Sequence, residues 1–348
     1  MKTISAALLS YGMSGQVFHA PFIHLHPGFT LLGSWERSAK KIQQHYPEVT
    51  SYASLEAVLS DERVDMVVVN TPNHTHYIYA KKVLEAGKHA VVEKAFTATT
   101  DQAIELKNIA DKKGLKLFVC QNRRWDSDFG IVRRVIEQGL IGDVVEANFG
   151  FLRYAPELSP KAHKETPSEG AGILKDLGPH LIDQALFLFG MPLSVFADIA
   201  ITRPHSEVDD YFDLSLIYQR FRVHLKGGYF FREPGPSYVI HGTRGTFTKS
   251  RGDVQEDQLK SGMQPDHPDY GREPDSEEGF LHTELDGKII REHVRTPAGD
   301  YKIFYEGIYQ AIVNDQAPPV SAQDGVRIMK IIEAAIDSDR TGMRIAID

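Results

Sequence analysis

Short apolar runs recur through the first 121 residues, and each is followed by a stretch whose apolar positions return every three or four residues. The runs Ile4–Leu9, Thr30–Trp35, Met66–Val69, His89–Val92 and Lys116–Cys120 read as strands. Between them, helices are expected at about 38–45, 55–59, 77–86 and 100–113. Ser54 stands at an N-cap position and Gly87 at a helix stop. Met66–Val69 is apolar at every position, as a parallel strand covered on both faces requires. The alternation predicts an α/β unit over residues 1–121 built on a doubly wound parallel sheet.

From Gln121 the pattern changes. A helix is expected over 129–138 and a half-buried strand over 144–152. In the stretch 172–186 Asp176, His180 and Gln184 recur every four residues on an apolar, helically spaced background, which would put them on one face. Pro179 demands a kink or a helix start, and a start there would remove Asp176 from that face. Beyond Met191 the runs 195–201, 211–218, 222–230, 237–241 and 245–249 predict one large, mostly antiparallel sheet in an α+β domain spanning 122–348. Residues 250–278 are polar and rich in Gly and Pro, so an exposed, irregular excursion is expected. Helices at about 301–314 and 322–340 follow.

Composition narrows the function classes. The 348 residues suit two domains, and 42% hydrophobic with 25% charged residues is ordinary for a soluble globular protein. A net charge of −8 argues against nucleic acid or anionic lipid as a general partner. Cys120 stands alone, so no intrachain disulfide forms. No signal-like leader or long apolar span is visible, and a cytoplasmic setting is expected.

The candidate chemistry begins where the first strand ends. Ser10-Tyr11-Gly12-Met13-Ser14-Gly15 matches two of the three glycines of a dinucleotide turn. Gly12 lets the backbone, with Met13 and Ser14, approach a pyrophosphate; Gly15 allows helix to pack on strand; Ser10 replaces the first glycine. Glu36, closing the second strand, suits the ribose hydroxyls of NAD. Arg37 beside it would suit the extra phosphate of NADP, so NAD is favoured with NADP not excluded. The loop Thr71-Pro72-Asn73-His74-Thr75-His76 follows a central strand at the end where such sheets bind ligands. His74 and His76 lack further metal-type partners at the usual spacings, so no metal is expected, and His76 is assigned to helix capping or cofactor contact. Asn122, Arg123 and Trp125, with Tyr154 at the end of the next strand, are candidates to line a cleft, Asn122 on the cofactor side.

With these stretches in view, the chain resembles the glucose-fructose oxidoreductase and inositol dehydrogenase family, Gfo/Idh/MocA. The resemblance rests on Tyr11-Gly12-Met13-Ser14-Gly15-Gln16-Val17-Phe18-His19, Asn70 to His76, Glu93-Lys94 and Asp176-Leu177-Gly178-Pro179-His180. The turn with Phe18-His19 looks most like the branch that includes scyllo-inositol dehydrogenases. It implies a Rossmann domain, a second domain with an open sheet through which dimers or tetramers form, and NAD(P)-dependent redox chemistry on a sugar or cyclitol. It also places Glu93 and Lys94 at the cofactor. Ala95 departs from the family's Glu-Lys-Pro; because a cis bond before a non-proline residue costs about 2.5–4 kcal/mol, a trans Lys94–Ala95 bond is expected.

On this resemblance, hydride moves between nicotinamide and a secondary alcohol carbon, and a base must take the hydroxyl proton. His180 is assigned that role, Lys94 the stabilisation of developing alkoxide charge, and Asp176 the orientation of a neighbouring hydroxyl; Lys94 as the base is the alternative. Arg123, Trp125 and Tyr154 join Asp176 and His180 as substrate-binding candidates. An aromatic dihydrodiol or an imine is a further substrate class. The competing function is a cofactor-binding sensor of the same fold without turnover.

Overall fold

The computed structural model describes residues 2–36, 40–160 and 162–347. Six strands, β1 (Ile4–Leu8), β2 (Phe29–Trp35), β3 (Thr50–Tyr52), β4 (Met66–Val69), β5 (His89–Val92) and β6 (Leu117–Val119), form a wholly parallel sheet of order β3-β2-β1-β4-β5-β6. This is the doubly wound order in which the chain reverses direction across the sheet between β1 and β4, leaving a crevice at their carboxyl ends. Ala6, Ala7, Leu8 and Met66 to Val69 are wholly buried, which accounts for their unbroken apolarity. Helices Leu55–Ser60, His76–Glu85 and Thr100–Lys113 connect the strands. Ser54 Oγ accepts from Ala57 N–H at 3.1 Å and Thr99 Oγ1 from Gln102 N–H at 3.3 Å, so both starts are capped by side chains.

The chain forms two compact units. The first comprises Met1–Asn122 with two later segments, Gln255–Tyr270 and Asp300–Val326. The second comprises Arg123–Val254, Gly271–Gly299 and Arg327–Asp348. Nine strands build the sheet of the second unit: β7 (Val144–Leu152), β8 (Ser194–Ala200), β9 (Tyr211–Ile217), β10 (Arg222–Gly228), β11 (Tyr238–Gly242), β12 (Gly245–Lys249), β13 (Gly279–Leu285), β14 (Lys288–Val294) and β15 (Ile345–Ala346). Their order is β14-β13-β12-β11-β7-β10-β9-β8-β15, antiparallel except for β7 beside β10. On one face Ala147, Phe149, Leu214, Leu216, Val223, Leu225, Ile240 and Phe247 are buried. On the other, the laterally paired Phe196, Ser215, His224, Asn148, Val239, Thr248 and Phe280 all keep solvent contact.

Two sequence expectations change, and one open alternative is decided. The 250–278 stretch contains a helix, Gln255–Lys260, and is anchored in the first unit: Gln255 is buried, and its Oε1 accepts from Tyr301 N–H at 2.8 Å. A buried amide serving a helix start looks polar in sequence, which hid the anchor. The 172–186 stretch is two helices, Ile173–Asp176 and Gly178–Phe189, with Pro179 in the first turn of the second. Proline is accommodated there because a first-turn N–H has no intrahelical acceptor, so Asp176 belongs to a separate turn. The expected helix at 38–45 is a single turn, Ile42–His45, and residues 37–39 lie outside the described part.

Candidate active site

In the first unit the site is built around the β1–helix junction. Gly12 N–H donates to Ser10 Oγ at 3.2 Å, and Gln16 N–H to Gly12 O at 3.0 Å, so Ser10 closes the turn with its own hydroxyl. The helix continues through a π turn, Gly15–His19, into Ala20–Leu25, and its leading amides have no intrahelical acceptor. A Cβ on Gly15 would lie 2.5 Å from Ser10 O and 3.0 Å from Asn70 Nδ2, whereas one on Gly12 would meet only Ser10 Oγ at 3.4 Å. Gly15 is thus required by the fold, and Gly12 leaves open space beside the turn.

Asn70, at the end of β4, donates to Ser10 O at 2.8 Å, while its buried Oδ1 has no partner. An orphaned acceptor beside a helix start, a glycine cradle and an acidic strand end fit a dinucleotide. Glu36 caps the Ile42–His45 helix by accepting from Lys41 N–H at 2.9 Å and Ile42 N–H at 3.1 Å. Each of its oxygens retains a lone pair for a ribose hydroxyl. Arg37 lies outside the described residues. Met13 is half-exposed at the rim, and Asn122 is buried at the end of the unit's chain segment.

Thr71, Pro72 and Asn73 follow β4. Thr75 Oγ1 donates to Pro72 O at 2.7 Å, which leaves it to accept from Thr71 Oγ1 at 2.6 Å. His76 is fully buried, with Nδ1 2.7 Å from Ala95 O and Nε2 2.8 Å from Thr71 O. It joins the loops after β4 and β5, and burial lowers its pKa. The Lys94–Ala95 peptide is cis, not trans as expected from the intrinsic preference of a non-proline bond. The expectation omitted the surroundings: Ala95 is buried and its carbonyl is held by His76.

Glu93 Oε1 lies 3.0 Å from His19 Nε2, and Oε2 accepts from Lys94 N–H at 3.1 Å. Burial would raise the Glu93 pKa, but the His19 hydrogen bond and the charges of His19 and Lys94 hold it below the ordinary carboxylate range. His19 lay in the motif that carried the family resemblance, yet nothing local revealed a role, because its partners stand 74 and 286 residues away.

In the second unit, His180 opens the Gly178–Phe189 helix and is 5% exposed. Gln184, one turn on, donates to Arg123 O at 3.0 Å and accepts from Tyr238 Oη at 3.1 Å. Asp183 forms a buried, bidentate pair with Arg124, at 2.8 and 2.7 Å. The Asn122–Trp125 turn that carries Arg123 and Trp125 is thereby fastened to the helix that carries His180. Asp176 Oδ2 accepts from Lys164 Nζ at 2.7 Å. Tyr154 is half-exposed, stacked under the Arg232 guanidinium at 3.8 Å. Asp183 and Arg124 were not among the expected site residues; their signal, a carboxylate in an apolar helix and an arginine in a tight turn, is visible only once paired.

A doubly wound parallel sheet with a glycine turn, an orphaned acceptor and an acidic strand end at its carboxyl edge defines a dinucleotide-binding class of protein. Comparison with known proteins makes this particular. Residues 4–121 match the family model "Oxidoreductase family, NAD-binding Rossmann fold", and residues 133–347 match "Oxidoreductase family, C-terminal alpha/beta domain". The chain is 34% identical over 348 residues to a Bacillus subtilis protein named scyllo-inositol 2-dehydrogenase (NADP(+)) IolW, covering 100% of this chain and 97% of that one. A solved structure from Bacteroides fragilis is 42% identical with a TM-score of 0.92, covering 99% of this chain and 100% of that one. An oxidoreductase from Bacillus cereus is 31% identical with a TM-score of 0.92, covering 99% of each. The chain belongs to the Gfo/Idh/MocA oxidoreductase family, and its first unit is the family's NAD-binding Rossmann domain. Among the described residues no helix is long and apolar enough to cross a membrane.

Proposed function

We propose that the protein is a cytoplasmic NAD(P)-dependent dehydrogenase that interconverts a secondary alcohol and a ketone on a sugar or cyclitol. The observation that carries this is the placement of Glu93-Lys94 at the end of β5, in the same sheet as the Gly12–Gly15 turn at the end of β1. The printed activity of the Bacillus subtilis relative supports a polyol substrate. Bound nicotinamide supplies the hydride acceptor or donor. Gly12 to Gly15 hold the pyrophosphate through backbone amides, Asn70 and Thr71 to Asn73 border it, and Glu36 accepts from ribose hydroxyls, which favours NAD. The name of the same relative specifies NADP(+), so both forms belong in the assay.

Lys94 donates a hydrogen bond to the reacting substrate oxygen and offsets its developing negative charge. His180 takes the hydroxyl proton during oxidation and returns it during reduction. Asp176, steadied by Lys164, accepts from an adjacent hydroxyl, and Arg123, Trp125 and Tyr154 complete the substrate contacts. The half-exposed face of the nine-stranded sheet, with Phe196, Val239 and Phe280 in one row, supports a homodimer or homotetramer through that sheet. The test is absorbance of reduced nicotinamide with NAD and NADP against a panel of cyclitols and aldoses. Turnover is expected with at least one polyol, and Lys94→Met and His180→Ala should each lose about 100-fold or more in kcat. Cofactor binding without redox change across the panel would instead indicate a sensor.

A further inference from the structure

One buried chain of hydrogen bonds in the first unit ends on the backbone of the catalytic lysine assigned above. Tyr305, from the helix Lys302–Val313, is 1% exposed, with its hydroxyl 2.6 Å from His19 Nδ1 and 3.1 Å from Phe18 O. Phe22 stacks on the Tyr305 ring at 5.6 Å with 4° between the planes, which fixes the hydroxyl in place. His19 is fully buried in the π turn after the dinucleotide loop, and its Nε2 meets Glu93 Oε1 at 3.0 Å. Glu93 Oε2 then accepts from the Lys94 N–H.

Proton counting shows how tightly this is specified. An ionised carboxylate only accepts, so His19 Nε2 carries hydrogen. The single Tyr305 proton goes either to His19 Nδ1, giving a neutral imidazole, or to Phe18 O, in which case Nδ1 donates as well and an imidazolium faces Glu93. In both arrangements His19 donates to Glu93; only the second also satisfies Phe18 O, since the single phenol proton serves one acceptor at a time. Cys120 Sγ also lies within 4.8 Å of the His19 and Glu93 ligand atoms, a spacing a cation could bridge. Both Glu93 oxygens already accept N–H bonds, however, and burial together with the Glu93 charge holds the Cys120 thiol well up. The His19 Nε2 hydrogen lies between the imidazole and the carboxylate in this arrangement.

We infer that His19, itself oriented by Tyr305, is a positioning residue for Lys94: through Glu93 it fixes the turn that carries the ammonium. This rests on the reading of Lys94 as the group that meets the substrate oxygen. Glu93 is faced by His19 from the first helix, by His76, by the adjacent Lys94 and by Cys120 at the end of β6. Loss of His19 removes the largest of the contributions that hold the Glu93 pKa down, leaving those of Lys94 and His76 against the burial that pushes it up, so the carboxylate would protonate at a higher pH.

The test compares His19→Leu, His19→Gln and Tyr305→Phe with the wild type. Glutamine can donate to Glu93 and accept from Tyr305, so it serves as the conservative rescue. Expected for His19→Leu are a kcat lower by about 30- to 100-fold with substrate KM within about threefold, as for a catalytic group displaced by a fraction of an ångström. The acid limb of its kcat–pH profile should move to higher pH. Without any cofactor, amide exchange in the peptide spanning 92–96 should quicken by about tenfold. His19→Gln should recover most of all three effects, and Tyr305→Phe should lie between. Exchange and acid limb unchanged in His19→Leu would overturn the inference. So would equal losses in His19→Leu and His19→Gln, and where His19→Leu does not fold, wild-type behaviour in both remaining variants does the same. Should the wild type turn over no polyol, the proposed substrate fails, while the exchange measurement still decides whether His19 holds this turn.

Discussion

The pair between Arg124 and Asp183 gives the sharpest energetic prediction. The two side chains are 8% and 2% exposed and share two charge-assisted hydrogen bonds, and the Arg124 guanidinium lies 4.9 Å over the Phe187 ring. At the surface such a pair would contribute about 0–1 kcal/mol. Here both ions have been taken out of water, so removing one leaves the other buried without its counter-charge, at a cost of about 3–5 kcal/mol. Asp183→Asn keeps the shape and deletes the charge. It should lower the thermal midpoint by about 6–20 °C, taking about 2–4 °C per kcal/mol for a chain of this size. The double variant Arg124→Met with Asp183→Leu replaces ions by apolar groups and should recover most of the loss, since apolar replacement of a buried pair is often neutral or better. Urea and thermal melts followed by circular dichroism supply all corners of the double-mutant cycle. A loss under about 1 kcal/mol for Asp183→Asn, or a double variant no better than the single, would show that the pair is not the buried lock described. In that case the Asn122–Trp125 turn would have to be held to the His180 helix chiefly by the Gln184–Arg123 hydrogen bond.

Two further outcomes separate fold from chemistry. Gly15→Ala drives a Cβ against the Ser10 carbonyl and should cost about 1–3 kcal/mol, whereas Gly12→Ala should leave stability within about 0.5 kcal/mol yet weaken NADH binding by about tenfold or more. Fluorescence titration of NADH beside melting curves checks both, and equal effects of the two substitutions would refute the assignment. Asp126 is held well above the carboxylate range by burial first and by the charge of Asp253 second, against the pull of Arg123. With its folded pKa raised, the folded state binds the extra proton; the contribution is complete below the unfolded value near 3.9 and is lost as pH rises through the folded value. Asp126→Asn should therefore gain on the wild type from pH 4 to pH 8 in urea midpoints, and parallel curves would refute the sign.

The parallel sheet was legible because strands covered on both faces leave few polar positions: the runs at 66–69 and 89–92 match β4 and β5 residue for residue. Two of the strands that were missed stand where the environment removes that signal. β3 is three residues at a sheet edge, and β14 is largely exposed, with Lys288, Arg291, Glu292 and His293 facing water. A cue was present, since Asp286-Gly287 adopts positive φ of 51° and 73°, the conformation of a two-residue hairpin turn. It falls beyond the polar 250–278 stretch, between two runs that mix apolar with charged residues.

The site divides along the same line. Gly12, Gly15 and Glu36 could be read from sequence because the geometry they serve is local: a turn, a close approach and a strand end. The reading of 176, 180 and 184 as one stripe used the same local logic, and Pro179 broke it by starting a new helix. What that periodicity passed over was Asp183, whose partner lies 59 residues back and whose burial can be tolerated only because Arg124 is there. His76 shows the same dependence, with its acceptors on two different loops, as does His19 between Glu93 and Tyr305. Spacing therefore exposes groups that meet a ligand through a local turn. The groups that hold such turns in place are fixed by partners distant in the chain, and only the fold names them.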